Sequence, residues 1–309
     1  FFEQQFTPHR VVHAGPPGMV TGYYEPILDG SRKQSSAFPT PVLRRPPDLV
    51  NLVSEADRGA KADQPTHARL TTDGRRVAYP TRQEIDEGAL AGQGLEIVYL
   101  KSPVDLFFMQ VQGSGRIRFA DGRLVRLTYD GKNGHPYTSV GRHLIDTGQF
   151  TAGQVSLQSL ERWLKADSER GKRAMWQNKS YVFFREIAEA DDKGPLGVMS
   201  VPLSTGRSLA VDTAHHDLGL PVWVSAPELR HATKEGGFHR LMVAQDVGSA
   251  IRGPERGDIY FGSGDEAGRI AGVTKHAASF LVLLPNPDPA IEATAPGRGE
   301  RAAPRAAER

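Results

Sequence analysis

Three aspartates end or open short apolar runs: Asp212 closes SLAVD, Asp246 closes RLMVAQD and Asp258 opens DIYFG. Burial at a strand edge raises a carboxyl pKa, and a second carboxylate nearby raises one member of the pair further. A carboxylic acid that keeps its proton near neutral pH is what a general acid requires. The same residues could equally cap turns by accepting backbone amides. The pattern alone leaves both readings open. Asp265, in GSGDEAG, reads instead as a helix start, where a carboxylate faces unpaired amides.

Polar and aromatic residues accompany these acids. VTGYYEP supplies Tyr23 and Tyr24, QVQGSGRIRF supplies Gln112 and Ser114 around a glycine turn, and YDGKNGHPY supplies Asn133. Flat phenol faces stack on sugar rings, while amides and hydroxyls reach sugar hydroxyls, so the set suits a glycan better than an apolar small molecule. Taken singly, each residue also fits an exposed turn. Other chemistries have weaker footing. Without cysteine there is no thiol nucleophile, disulfide or thiolate-bound zinc. His215, His216 and Asp217 form the one metal candidate, but adjacent histidines on an extended chain point to opposite sides, and a surface turn is preferred. The glycine runs lack the full phosphate-binding patterns. No metal and no cofactor is therefore expected. A net charge of +2 with no basic stripe speaks against a nucleic-acid partner.

The elements that must position these groups can be read coarsely. With 309 residues, one large or two medium domains fit. The 33 glycines and 22 prolines favour many short strands over long helices. TRQE at 81–84 is a capping box. SPVDLFFMQV at 102–111 has Ser102 as cap and Pro103 at the first helical position. A third helix starts at Ser156 and places Leu157, Leu160, Trp163 and Leu164 on one face. In the last third, MSVPLS, SLAVD, LPVWVS, RLMVAQD, DIYFG and SFLVLLP read as regularly spaced strands, which suggests a small closed barrel. Residues 44–76 read as a polar surface excursion, and 286–309 as a disordered tail. No apolar run approaches the ~20 residues that span a bilayer.

In order along the chain, VTGYYEP, VQGSGRIRF, DGKNGHPYTSVGRHLID, LAVDTAHHDLGLPVWV and LMVAQDVGSAIRGPERGDIYFGSGDEAGRIAG resemble the membrane-bound lytic murein transglycosylase A family. The similarity runs from about Val20 to Pro285. Asp212, Asp246 and Asp258 look like the aspartates that name that family's three-D domain. The resemblance implies a mainly β protein: a double-psi β-barrel domain (1–26 and 196–285) with an inserted second β-rich domain (27–195) carrying a few helices. It implies peptidoglycan glycan strands as partner and a groove between the domains. It further implies a lytic exotransglycosylase that forms 1,6-anhydro-muramic acid ends. Asp258 would be the catalytic acid, then base, and Asp246 its partner. Thr21, Tyr23, Tyr24, Gln112, Ser114, Asn133 and Asp212 would contact substrate. A periplasmic monomer is expected, with any lipid anchor to the outer membrane ahead of Phe1. The family usually has more residues before TGYY, so elements packing on the barrel are expected to be missing. Two rivals stand: a non-catalytic wall-binding module of the expansin kind, and a hydrolase using Asp246 or Asp265 as second carboxylate.

Overall fold

The structure is a computed structural model that describes residues 1–54, 64–187, 193–233 and 236–287. Most of the expected tail therefore lies outside the described residues. Its first residue, Asn286, is tied down: it donates to Gln4 and Gln5 carbonyls and accepts from Thr7.

The chain opens with α1 (Phe2–Gln5), β1 (Phe6–Arg10) and β2 (Met19–Glu25). The middle section contains β3 (Ile27–Ser31), β4 (Thr40–Leu43), β5 (Leu49–Asn51), β6 (His67–Leu70), β7 (Arg76–Val77), α2 (Arg82–Asp86), β8 (Glu96–Leu100), α3 (Pro103–Gln112), β9 (Ser114–Arg118), β10 (Leu124–Lys132), α4 (Val140–Asp146), α5 (Leu157–Ala166), α6 (Ser168–Met175) and β11 (Val182–Ile187). The last section adds β12 (Ser208–Val211), β13 (Pro221–Ala226), β14 (Phe238–Val247), β15 (Arg256–Ser263), α7 (Gly264–Ala271), β16 (Lys275–Ala277) and β17 (Ser279–Pro285).

The protein is mainly β, with two principal sheets. An eight-stranded sheet runs β1-β17-β13-β14-β12-β15-β2-β16, and a six-stranded sheet runs β11-β10-β9-β3-β8-β4. The first joins strands from both ends of the chain. Two of its pairings, β12 with β14 and β15 with β2, are parallel within an otherwise antiparallel array. Each sheet has its own apolar core: Val20, Leu209, Val222, Val224, Phe238, Met242, Ile259 and Phe280 in the larger, and Val98, Leu100, Met109, Ile117, Leu127, Phe183 and Phe184 in the smaller.

Several elements depart from the sequence reading for visible reasons. The 44–76 stretch contains a small sheet, β5-β6-β7, because Leu49 and Ala68 are buried within an otherwise polar run. The helix from Ser156 is two helices: Asp167 ends α5 in extended conformation and accepts the Arg170 amide as cap of α6. MSVPLS forms no strand; it contains one isolated bridge, Leu196 to Pro202, with Ser200 at φ 59° and a proline that cannot donate to a ladder. The two early caps form as read: Thr81 with Glu84 makes a capping box, and Ser102 accepts the Val104 amide.

Candidate active site

Pairing register brings the acids together. Ala210 on β12 lies beside Asp246 on β14 and beside Asp258 on β15; Asp258 in turn lies beside Thr21 on β2. The row is therefore Asp246, Ala210, Asp258, Thr21. Directly paired residues share a sheet face, and the small Ala210 side chain leaves room between the carboxyls. Two strand spacings put the aspartate backbones about 10 Å apart. Tyr23, two residues on from Thr21, lies on the same face, and its hydroxyl donates to Asp246 Oδ2 at 3.0 Å.

The two acids differ in their partners. Both oxygens of Asp246 accept: Oδ2 from Tyr23 and Oδ1 from the Val198 amide at 3.2 Å. Asp258 accepts one side-chain hydrogen bond among the described residues, at Oδ1 from Thr21 Oγ1 at 2.5 Å. Arg256 Nη2 donates to that same hydroxyl at 2.7 Å, so a charge acts on Asp258 partly through Thr21. Asp258 is enclosed by protein but half-buried, open only on its cleft side. Burial pushes its carboxyl from 3.8 up to about 6; Arg256 and the Thr21 hydroxyl oppose the rise, and Asp246 adds to it. Burial likewise pushes the Tyr23 phenol well up, with Asp246 and Asp258 adding to the effect, so this phenol stays a donor.

Asp258 faces a cleft of about 400 Å³ between the two sheets. Tyr23, Asp246 and the 247–251 loop line one side. Gln112, Ser114, Thr128, Lys132, Tyr137 and Arg185 line the other. The turn between α3 and β9 sets Gln112 and Ser114. Gly113 ends the helix at φ 84°, a left-handed conformation that a residue without Cβ adopts at little cost, and its amide bonds the Met109 carbonyl.

Three of the expected contacts stand elsewhere. Tyr24 follows Tyr23 on a strand and so points to the opposite face, against Gly268 of α7. Asn133 is buried: its Nδ2 donates to the Pro80 and Lys179 carbonyls and its Oδ1 accepts the Tyr181 amide. It braces the cleft wall from behind. Asp212 is buried and accepts the Ala214 and Gly253 amides, which fixes the turn before β15. Thr21 is not a wall residue; it acts on Asp258. His216 packs inward, with Nε2 at 2.6 Å from the Pro254 carbonyl. Asp265 lies exposed in the first turn of α7, outside the cleft lining.

Sequence reasoning missed Arg256, Tyr137, Lys132, Arg45 and Arg185. For Arg256 a signal existed: it lies two residues before Asp258, which on a strand means the same face. The others come from loops and strand ends of the second sheet, whose register no local pattern reveals.

These features define a mainly β protein in which two sheet domains enclose a polar cleft around one partly neutralised buried acid. The MltA-specific insert domain family matches residues 19–185, and the 3D domain family matches residues 207–284. The chain belongs to the MltA family. It is 35% identical to membrane-bound lytic murein transglycosylase A of Escherichia coli K12 over 283 residues, covering 90% of this chain and 66% of that protein. The Vibrio cholerae counterpart is 33% identical and covers 84% of this chain and 63% of its own. The chain thus spans just under two thirds of the length of these curated relatives. A crystal structure of a membrane-bound lytic murein transglycosylase from Agrobacterium tumefaciens has TM-score 0.83 and 41% identity, covering 92% of this chain and 77% of that one. The structure of Escherichia coli MltA with bound chitohexaose has TM-score 0.71 and 33% identity, covering 87% and 73%. Among the described residues no helix is long and apolar enough to cross a membrane.

Proposed function

We propose that the protein is a lytic transglycosylase of peptidoglycan in which Asp258 is the only acid–base group. The carrying observation is the contrast at the cleft floor: one carboxyl with a pKa near 6 and a single hydroxyl donor beside a second whose oxygens are both engaged. Protonated Asp258 donates to the oxygen that links N-acetylmuramic acid to N-acetylglucosamine. The C1–O bond breaks and the muramoyl ring gains oxocarbenium character. The ionised Asp258 then takes the proton of the C6 hydroxyl of the same sugar as that oxygen bonds to C1. The product is a 1,6-anhydro ring, and no water is consumed. An internal hydroxyl has high effective concentration, so no glycosyl-enzyme bond is needed.

Retaining and inverting hydrolases need a second carboxylate free to attack or to activate water. Asp246 is held by Tyr23 and a backbone amide, and Asp265 lies outside the cleft lining. Asp246 instead raises the proton affinity of Asp258. The chitohexaose bound to the related Escherichia coli protein supports a glycan as the occupant of the cleft.

The sheet memberships support a discontinuous catalytic domain of 1–26 and 196–285 around an insert of 27–195. The names of the relatives support a periplasmic, membrane-anchored setting, and exolytic release from strand ends fits the same reading. The test is the mass of the products released from sacculi. Muropeptides one water lighter than hydrolysis products are expected. Products with water added would contradict the transglycosylase, and tight binding without release would favour a wall-binding module.

A further inference from the structure

The two walls of the cleft differ in charge. The eight-stranded wall contributes Asp246 and Asp258, whereas the insert wall contributes Arg45, Arg82, Lys132 and Arg185 against Asp130. Arg82 is engaged internally, donating to Gln110 and to the Asn178 and Ser180 carbonyls. The other three gather around residues 130–132 at the end of β10. Arg45 is built in: Nη1 donates to the Asp130 carbonyl at 3.1 Å, and Nη2 to the Leu49 carbonyl at 2.8 Å and Asn51 Oδ1 at 2.6 Å. It lies over Gly131, at φ 139° in a β-bulge, where an added Cβ would meet its Nη1 at 3.2 Å. Lys132 is buried, with Nζ at 3.4 Å from Ser249 Oγ of the facing wall. Arg185 Nε lies 3.5 Å from Asp130 Oδ1 with its side chain 48% exposed.

Register fixes the position of this cluster relative to the floor. Thr128 pairs with Ser114 on one side and Arg185 on the other. The three form a strip on one sheet face, about 10 Å long from strand spacing, that leads from the foot of the cleft to edge strand β11. Three cations against one aspartate leave an excess of positive charge where a neutral sugar would need none. A carboxylate matches the fork of an arginine and the charge of a lysine.

We infer that the insert end of the cleft, where Arg45, Lys132 and Arg185 surround Asp130, binds a carboxylate carried by the glycan, so that the protein selects acidic over neutral sugar chains. The inference rests on the glycan reading above and adds the class of substrate. In peptidoglycan such a carboxylate belongs to the muramic lactyl group or to the peptide stem.

The test is calorimetric titration of the Asp258→Asn protein with three oligosaccharides of equal length: neutral and chitin-type, peptide-free with lactyl carboxylates, and stem-bearing. At least one acidic chain should bind about tenfold more tightly than the neutral one, a preference that shrinks as salt rises. Adding Arg185→Gln should remove most of that preference and change neutral affinity less than about twofold. Which acidic chain loses affinity identifies the source of the carboxylate. Equal affinity for all three overturns the inference and leaves the glycan reading standing. So does an equal loss on all three with Arg185→Gln. Failure to bind any of them overturns both.

Discussion

Glu25 and Asp258 are both enclosed carboxyls in the same sheet, and their surroundings are opposite. Glu25, at the end of β2, is fully buried and accepts from Arg126 Nε at 2.8 Å, Arg116 Nε at 3.1 Å and Ser263 Oγ at 2.7 Å. Two guanidinium groups on β9 and β10 thereby fasten the insert sheet to the catalytic one. Asp258 has one hydroxyl donor and an open cleft side. Burial alone therefore does not mark a reactive acid. What separates the two is how many donors neutralise each oxygen, since hydrogen bonds to the charged form hold a carboxylate ionised and desolvation without them keeps it protonated.

Substitutions can break or sharpen this contrast. The largest effect expected is on catalysis: Asp258→Asn should lower kcat on sacculi by about a thousandfold or more, the scale of general acid–base catalysis. Its stability should move the other way. Asp258 has a raised folded pKa, so between 3.8 and about 6 the folded chain binds more protons than the unfolded one, and stability falls as pH rises through that window. Removing the ionisable group should thus stabilise the fold at pH 7.5 by about 2 kcal/mol, after discounting for the open cleft side. Thermal melts check the sign.

Glu25→Gln should do the reverse. Leaving two arginines without their carboxylate should cost about 3 kcal/mol of stability, read by denaturant titration. Next comes Thr21→Val, which removes the bond to Asp258 and the link to Arg256. Steady-state kinetics should show kcat down about tenfold with KM little changed. Smallest is Arg256→Gln. Wild-type kcat/KM should fall about tenfold per pH unit above a midpoint near 6, because the acid must start protonated. Because Arg256 lowers that pKa, its removal should move the falling limb to higher pH.

The sequence carried much of this site but not its register. Asp246, Asp258, Tyr23, Gln112 and Ser114 were legible because strand ends and glycine turns mark where polar side chains reach a sheet rim. Tyr24 was misread through strand parity: adjacent residues on β2 face opposite sides. Asn133 and Asp212 belong to the same residue types as true site groups, yet their side chains close backbone turns, and only coordinates separate those uses. The pairing of Ala210 with both acids depends on a bulge and a parallel crossing, both nonlocal. The family resemblance supplied the two-sheet arrangement that composition could only suggest, while the break of α5 from α6 at Asp167 needed the cap geometry itself.

The most direct test is a carboxyl ¹³C titration of Asp258 in the intact protein, assigned by its disappearance in Asp258→Asn. A midpoint near 6 is predicted, the value that lets this group give a proton at neutral pH and then take one back. A midpoint at the ordinary aspartate value of 3.8 would contradict the account.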